Sequence, residues 1–456
     1  MRYLVLAIVL GCWGTAALRG AEPVRMTEEK DAQILQGFLL NEGKVLGTLN
    51  SEYCKIVVAR EVESYTWVML PSLVMPLAAW QMTGDAKHAE TFIRCFENMR
   101  SAMKKGPGPC PDWYGVPHIG WQDPNDKDKT IPVLVADFRA ADIVGQFLEA
   151  IAQDPALAQK YARQRQEFLE QVEGMVRQWD GWGSFVELGR GGAVYRQFPG
   201  MTGNQALLTQ PHNKHSIIVH GLLALYRVTG KDEYMRKAIQ VGTRFKHSLT
   251  LKDGHYEWNY WDPAGEWDIS LADKGKWKHW IGVEHKGGYY SMSLSQAVAL
   301  YQHGVVFDKT DIDRFLRTQL EKCWDGNMAR PRWARVDGSV DPKYMEGEYI
   351  CPALAPYGDK IAEFLYTGQR MEERLKNVKS DWQGGPVLAG WLQGKWLDLP
   401  RAKANPQPYL AFGKKFLQKK ENQDFADSLQ FEVSGAGYAP PQAPADVKPM
   451  PPEPKK

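Results

Sequence analysis

Three segments of the chain share one turn, and that repetition narrows the possible folds more than any other feature. PLAAWQMTGDAKHAETFI around residue 83, GLLALYRVTGKDEYMRKAI around residue 229 and IAEFLYTGQRMEERL around residue 367 each read as helix, Thr-Gly, helix. A glycine at such a point takes the left-handed conformation that closes a helix C-terminus, so Gly84, Gly230 and Gly368 are expected to end one helix as the chain reverses into the next. One such turn is common; three in one chain indicate a repeated helical hairpin.

Two further pairs lie between them. ADFRAADIVGQFLEAIAQ precedes DPALAQKYARQRQEFLEQVEGMVRQW, where Asp154-Pro155 opens the second helix, and YYSMSLSQAVALYQHG precedes DKTDIDRFLRTQLEKCW. Apolar residues recur at spacings of three and four throughout. The first helix of each pair is apolar around most of its circumference and the second is charged on one face, as inner and outer helices of a layered ring would be. Five hairpins are legible, and either EEKDAQILQGFLLNEGKVLGTL or the region around VLAGWLQGKWLDL supplies a sixth. The expected fold is all-α, an (α/α) toroid of five to six helical hairpins with long aromatic loops on one face; an open helical stack is the alternative. One domain is expected over residues 28–400, an extension over 401–432, and a proline-rich disordered tail over 433–456.

Connections within hairpins are short and those between them are long, so the long ones emerge at one end of the ring. They include WDGWGSFVELGRGGAVYRQFPGMTGNQALLTQPHN and LKDGHYEWNYWDPAGEWDISLADKGKWKHWIGVEHKGG, and they hold most of the histidines and many of the tryptophans. Aromatic faces stack on the C–H faces of sugars while flanking polar groups bond the hydroxyls, so the palette suits a polysaccharide or oligosaccharide. The competing explanation is that Trp182, Trp258, Trp261, Trp267, Trp277, Trp280 and Trp333 pack loops onto helices.

The start of the chain, MRYLVLAIVLGCWGTAALRGAEP, reads as a signal peptide over residues 1–20, too short for a permanent membrane span. Secreted or periplasmic localisation follows, with Cys12 a possible lipid-attachment point. The other cysteines, Cys54, Cys95, Cys110, Cys323 and Cys351, show neither a metal-ligand spacing nor a disulfide framework. A net charge of +2 gives no reason to expect a nucleic-acid partner. Phosphate loop, Gly-x-Ser-x-Gly elbow and DxDD motif are absent, and no cofactor is expected. His212 and His215 stand three apart but lack a metal-binding motif, so no metal is expected.

The Thr-Gly hairpins, the aromatic loops between them and the leader resemble the (α/α)-toroid superfamily of carbohydrate-active enzymes, which includes six-hairpin glycosidases and uronate polysaccharide lyases. The likeness covers most of residues 60–380 at the level of architecture. Alginate lyases of this fold often carry Asn-Asn-His, where this chain has His212, Asn213, Lys214 and His215. The resemblance implies cleavage of a glycan, with β-elimination at a uronic acid the favoured reaction and hydrolysis by paired carboxyl groups the alternative.

Elimination needs the sugar carboxylate neutralised, a base for the C5 proton and an acid for the leaving oxygen. At the mouths of two inner helices stand Asn213 and His215, and Glu284 and His285 followed by Tyr289 and Tyr290. In that reading Asn213 and His215 hold the carboxylate, His285 is the base oriented by Glu284, and Tyr289 donates the proton. Arg190, Arg196, Lys214 and Lys286 would add positive charge beside the helix N-termini. Trp182, Arg196, His212, Trp258, Tyr260, Trp261 and Asp262 are expected to bind substrate. Hydrolysis needs two facing carboxyl groups, with candidates Glu187, Asp262, Asp268, Glu284 and Glu346; Glu284 and Asp262 lead. A glycan-binding protein without chemistry is the third reading. Asp137 is explained by its place near a helix start, and His220 by the core.

Overall fold

Short turns alternate with long loops along the whole chain. The computed structural model describes residues 29–49, 69–117, 122–123, 125–270, 276–341, 343, 345–378 and 384–429; the expected leader, Cys12, Cys54 and the tail over 433–456 lie outside them. Helix α1 (Glu29–Leu49) is followed by a 3-10 turn (Leu70–Leu73) running into α2 (Val74–Thr83), then α3 (Ala86–Arg100), α4 (Leu134–Ile151), α5 (Pro155–Lys160) and α6 (Ala162–Gly181). Next come α7 (His212–Thr229), α8 (Asp232–His247), α9 (Gly287–Gln302) and α10 (Lys309–Arg317), which continues as a π-turn (Thr318–Cys323). A 3-10 segment (Pro352–Tyr357) precedes α11 (Asp359–Leu365), α12 (Gly368–Val378), α13 (Gly384–Gln393), α14 (Leu399–Ala404), α15 (Leu410–Leu417) and α16 (Gln423–Ser428).

Two of the three glycine turns form as their sequence requires. Gly84 (φ 70°) and Gly230 (φ 68°) close α2 and α7, their amides donating to the carbonyls of Trp80 and Tyr226. Asp85 then caps α3, accepting from the Lys87 amide at 3.0 Å. Gly368 departs from expectation: α11 already ends at Tyr366, and Gly368 is the first residue of α12. The nearest atoms to a Cβ there belong to the flexible Lys30 side chain of α1, which can move aside, so the structure gives no requirement for glycine.

Helices α2, α4, α7, α9, the Pro352–Leu365 segment and α13 form an inner ring; the turn Gly394–Asp398 that continues α13 packs on the Pro352–Tyr357 segment, and α13 returns to α2. Outside them lie α1, α3, α5 with α6, α8, α10 and α12. Among the described residues the ring is therefore a closed (α/α) toroid of six hairpins. The sixth is made from both segments expected to compete for that place: α1 is its outer helix and α13 its inner one, clamped where Lys395 Nζ meets Asp31 Oδ1 at 2.7 Å. Inner helices approach closely where side chains are small. Gly145 faces Ala224, and a Cβ on Gly221 would lie 2.4 Å from the Phe138 carbonyl oxygen.

Each long loop runs from the C-terminus of an outer helix to the N-terminus of the next inner one, so the loops gather where the inner helices begin. Two small antiparallel ribbons stiffen them, β1 (Phe185–Glu187) with β2 (Ala193–Tyr195) and β3 (Thr250–Lys252) with β4 (His255–Glu257). The opposite end is covered by α14 and α15, where Tyr409 N donates to the Gln302 carbonyl and Tyr226 OH to the Phe412 carbonyl at 3.2 Å, while α16 lies outside the ring and reaches the Gly189–Gly191 turn. Among the described residues no helix is long and apolar enough to cross a membrane.

Candidate functional site

The start of α7 is built by burial. His212, Asn213 and His215 all lie inside the fold. His215 Nε2 accepts from the Tyr195 amide of β2 at 2.9 Å, and burial, with His212 and Arg244 near it, pushes its pKa well below the ordinary imidazole value. A neutral ring that accepts a backbone hydrogen bond ties the loop ribbon to α7. His212 Nε2 lies 3.1 Å from Asp262 Oδ2, while Asp262 Oδ1 accepts from Asn259 at 2.8 Å. Both Asp262 oxygens are thus engaged inside the protein. Asn213 Oδ1 is buried with no hydrogen-bond partner among the described residues.

A second cluster forms at the start of α9. Tyr260 lies nearly parallel to Tyr289 (centroids 5.9 Å apart, 19°) and to Trp280 (6.3 Å, 28°). The His285 ring stands edge-on to both Tyr260 (6.1 Å) and Trp280 (5.3 Å). Leu208, Trp261 and Trp277 pack beneath as a small apolar core separate from that of the ring. His285, Tyr289 and Trp280 keep part of their surface in solvent, and the Lys286 ammonium sits over the Tyr289 ring at 5.3 Å. His279 also stands edge-on to Tyr260, at 5.4 Å, so the group is an aromatic wall carrying two imidazoles, of which His285 is the one the sequence singled out.

Glu284 supports it from below. Its Oε1 accepts from the amides of His285 (2.7 Å) and Lys286 (2.8 Å), and lies 3.6 Å from His285 Nδ1; Oε2 has no partner among the described residues. Burial pushes the carboxyl pKa up to about 8 against the opposing pull of those two amides. Burial, then Lys286 and Arg335, push His285 down to about 4. At neutral pH the pair is therefore a carboxylic acid beside a neutral imidazole.

Other expected ligand residues are used internally. Trp261 is buried and donates to the Thr209 carbonyl, Trp258 stacks on Tyr290 at 5.7 Å, and Trp182 meets Trp179 edge to face at 4.9 Å. Arg196 donates to the Gly183 carbonyl and covers the Trp267 ring at 5.0 Å. Asp268 accepts from Thr209 N and Oγ1 and from the Ala264 amide; Glu187 accepts from Gln240; Glu346 lies 3.8 Å from Lys286 Nζ. Asp137 makes no capping bond to α4. It is fully buried, accepts from Trp179 Nε1 at 2.6 Å and faces Asp112, so burial and then its carboxyl neighbour push its pKa well above the usual range.

No family model matches the chain, and no curated protein does. Among solved structures, the chain is similar to an inactive variant of the alpha-1,6-mannanase GH76A of Salegentibacter sp. HEL1_6 in complex with alpha-1,6-mannotriose. The two share 13% identity over 78% of this chain and 99% of that one, with a TM-score of 0.36. An overlap that small decides neither fold nor chemistry, and the closed ring stands on the chain's own contacts.

Below the mouth lies what sequence reasoning missed: a cavity of about 110 Å³ lined by Arg139, Asp142, Ser216, Ile217, His220, Met292 and Ser295. His220, expected in the core, lies on this cavity, its Nε2 3.1 Å from Ser295 Oγ. The available signal was the presence of polar residues on otherwise apolar inner helices at equal distances from their starts.

Proposed function

We propose that this chain is a carbohydrate-active enzyme that takes a glycan on the loop-bearing end of its ring. The observation that carries the reading is the part-exposed wall of Trp280 and Tyr289, backed by the buried Tyr260, with His285 set edge-on to Tyr260 and Trp280. Parallel aromatic faces suit the C–H faces of pyranose rings, and an ionisable group among them separates an enzyme from a mere binder. Export, as expected from residues 1–20, belongs to the same reading.

Hydrolysis is supported by Glu284. A carboxyl that keeps its proton up to about 8 is an acid at neutral pH, as protonation of a leaving glycosidic oxygen requires. The buried carboxyl lies beside the part-exposed His285, its Oε1 3.6 Å from Nδ1, a separation longer than a hydrogen bond. Elimination at a uronic acid is supported by a different observation: His285 is neutral down to about 4 and lies with Tyr289 and Lys286, a base beside a hydroxyl and a cation. Asp262, with both oxygens engaged, fits neither role.

The experiment is incubation of the mature protein with acidic and neutral polysaccharides, following reducing ends together with the ultraviolet absorbance of unsaturated uronates. Reducing ends alone establish hydrolysis, and both signals rising establish elimination. Silence in both across the panel overturns the enzymatic reading.

A further inference from the structure

The cavity between α4, α7 and α9 has a regular construction. Arg139 and Asp142 lie five and eight residues beyond Leu134, the first residue of α4; Ile217 and His220 lie five and eight beyond His212 of α7; Met292 and Ser295 lie five and eight beyond Gly287 of α9. At a rise of about 1.5 Å per residue, these side chains form one layer roughly 8 to 12 Å below the mouth. Ser216 joins them, its Oγ 3.1 Å from Ser295 Oγ.

The floor beneath is closed. Arg227 Nε binds Glu149 Oε2 at 2.9 Å, its guanidinium covers the Tyr409 ring at 4.7 Å, and His303 stacks on Tyr409 at 4.8 Å. Glu149 and Arg227 each lie fifteen residues beyond their helix starts, so this second polar layer sits at the far end, under α15. These contacts close the space between α4, α7 and α9 beneath the cavity.

Its lining selects a chemical class. Arg139 donates, Asp142 accepts, and the two serine hydroxyls and the imidazole do both, with the formal charges of Arg139 and Asp142 cancelling. Asp142 Oδ1 is held by Gln146 Nε2 at 2.9 Å, which fixes the carboxylate in place. An isolated anion or cation would gain little from a balanced site, and an apolar molecule would strand its polar groups. A vicinal diol, which donates and accepts within one edge, matches it, and Ile217 and Met292 supply contact for C–H groups. The volume of about 110 Å³ is room for on the order of four waters, so it takes the diol edge of a sugar ring and leaves the rest towards the mouth.

We propose that this cavity is a terminal subsite seating the last pyranose of a glycan chain by its diol edge, so that the enzyme works from chain ends. The proposal rests on the glycan reading above, and adds to it where the chain end goes. A closed floor admits a terminus and stops a continuous strand.

The test is saturation-transfer NMR on the whole protein with methyl pyranosides of the gluco, galacto, manno and xylo series and with free glucuronate, galacturonate and mannuronate. The wild type is expected to bind at least one. Ser295→Leu, which projects a side chain into the void, is expected to abolish that signal. Asp142→Asn keeps the shape and is expected to weaken binding about tenfold or more, as loss of a charge-assisted hydrogen bond does; it decides the matter if circular dichroism shows the leucine variant unfolded. No transfer from any sugar, or transfer unchanged in a folded variant, overturns the subsite. On any polymer the wild type degrades, one small product from the first minutes supports chain-end action, and a ladder of internal fragments overturns it. Sugar binding in the cavity with every polymer intact would instead remove the enzymatic reading and leave the subsite standing.

Discussion

At the scale of single residues, Glu284 and His285 show how much a shared environment does. Both titrate away from their ordinary values for the same first reason, burial, which raises the acid and lowers the base. The consequence for stability has a definite sign. Glu284 has a reference value of 4.5 and about 8 in the fold, so the folded state binds more protons between those values. Its contribution is fully present below pH 4.5 and is lost as pH rises towards 8. Glu284→Gln keeps an acceptor for the two amides and carries no charge. It is expected to leave the thermal midpoint unchanged at about pH 5 and to stabilise the protein on the order of a few kcal/mol at about pH 9. A midpoint lower than wild type at the alkaline pH would mean that the fold stabilises the ionised carboxylate and does not raise its pKa. His285→Ala is expected to cut turnover by about 10² to 10⁴ on whichever polymer is degraded, with the helical circular-dichroism signal retained. Full activity would remove the imidazole from the mechanism.

At the scale of elements, the decisive features are close approaches between helices. Gly221 lets α7 lie against α4 with no room for a Cβ, and the obstructing atom is the Phe138 backbone oxygen, which cannot rotate away. Gly221→Ala is expected to cost about 1 to 3 kcal/mol, read from the shift of a urea unfolding midpoint; a neutral result would mean that the two helices part without penalty. The hairpins themselves were readable from Thr-Gly and from the caps at Asp85 and Asp154, because caps and left-handed glycines are local. Gly368 was misread because α11 ends before Thr367, with Tyr366 as its C-cap, and the same Thr-Gly pair opens α12 rather than closing α11. The loop tryptophans followed a similar course. Composition placed them at the mouth, but whether Trp258 and Trp261 turn inward depended on the loop cores, and they do.

At the scale of the whole molecule, the ring closes by joining the chain's beginning to its late helices. Phe38 of α1 is fully buried, and the helix packs on α12, α13 and α3. Phe38→Ala is expected to cost about 3 to 5 kcal/mol in global unfolding, measured by denaturant titration; a loss near zero would mean that α1 is no integral part of the toroid. Closure also leaves a shared space between α4, α7 and α9, which they line with the same two positions.

What the sequence determined alone was local or periodic: the helical hairpins, their inner and outer characters, and the crowding of aromatic and ionisable residues into loops at one end. Such properties depend on neighbours a few residues apart, and the chain writes them directly. Tertiary structure decided which of those residues share a site. It turned His215 and Asp262 inward to hold loops, set His285 into the wall of Tyr260 and Trp280, and took His220 out of the core and onto the cavity. The physical reason is that a side chain's partners lie across the ring, some 75 residues away in the case of His220 and Ser295, and no local pattern specifies a distance between helices that meet only once the ring has closed.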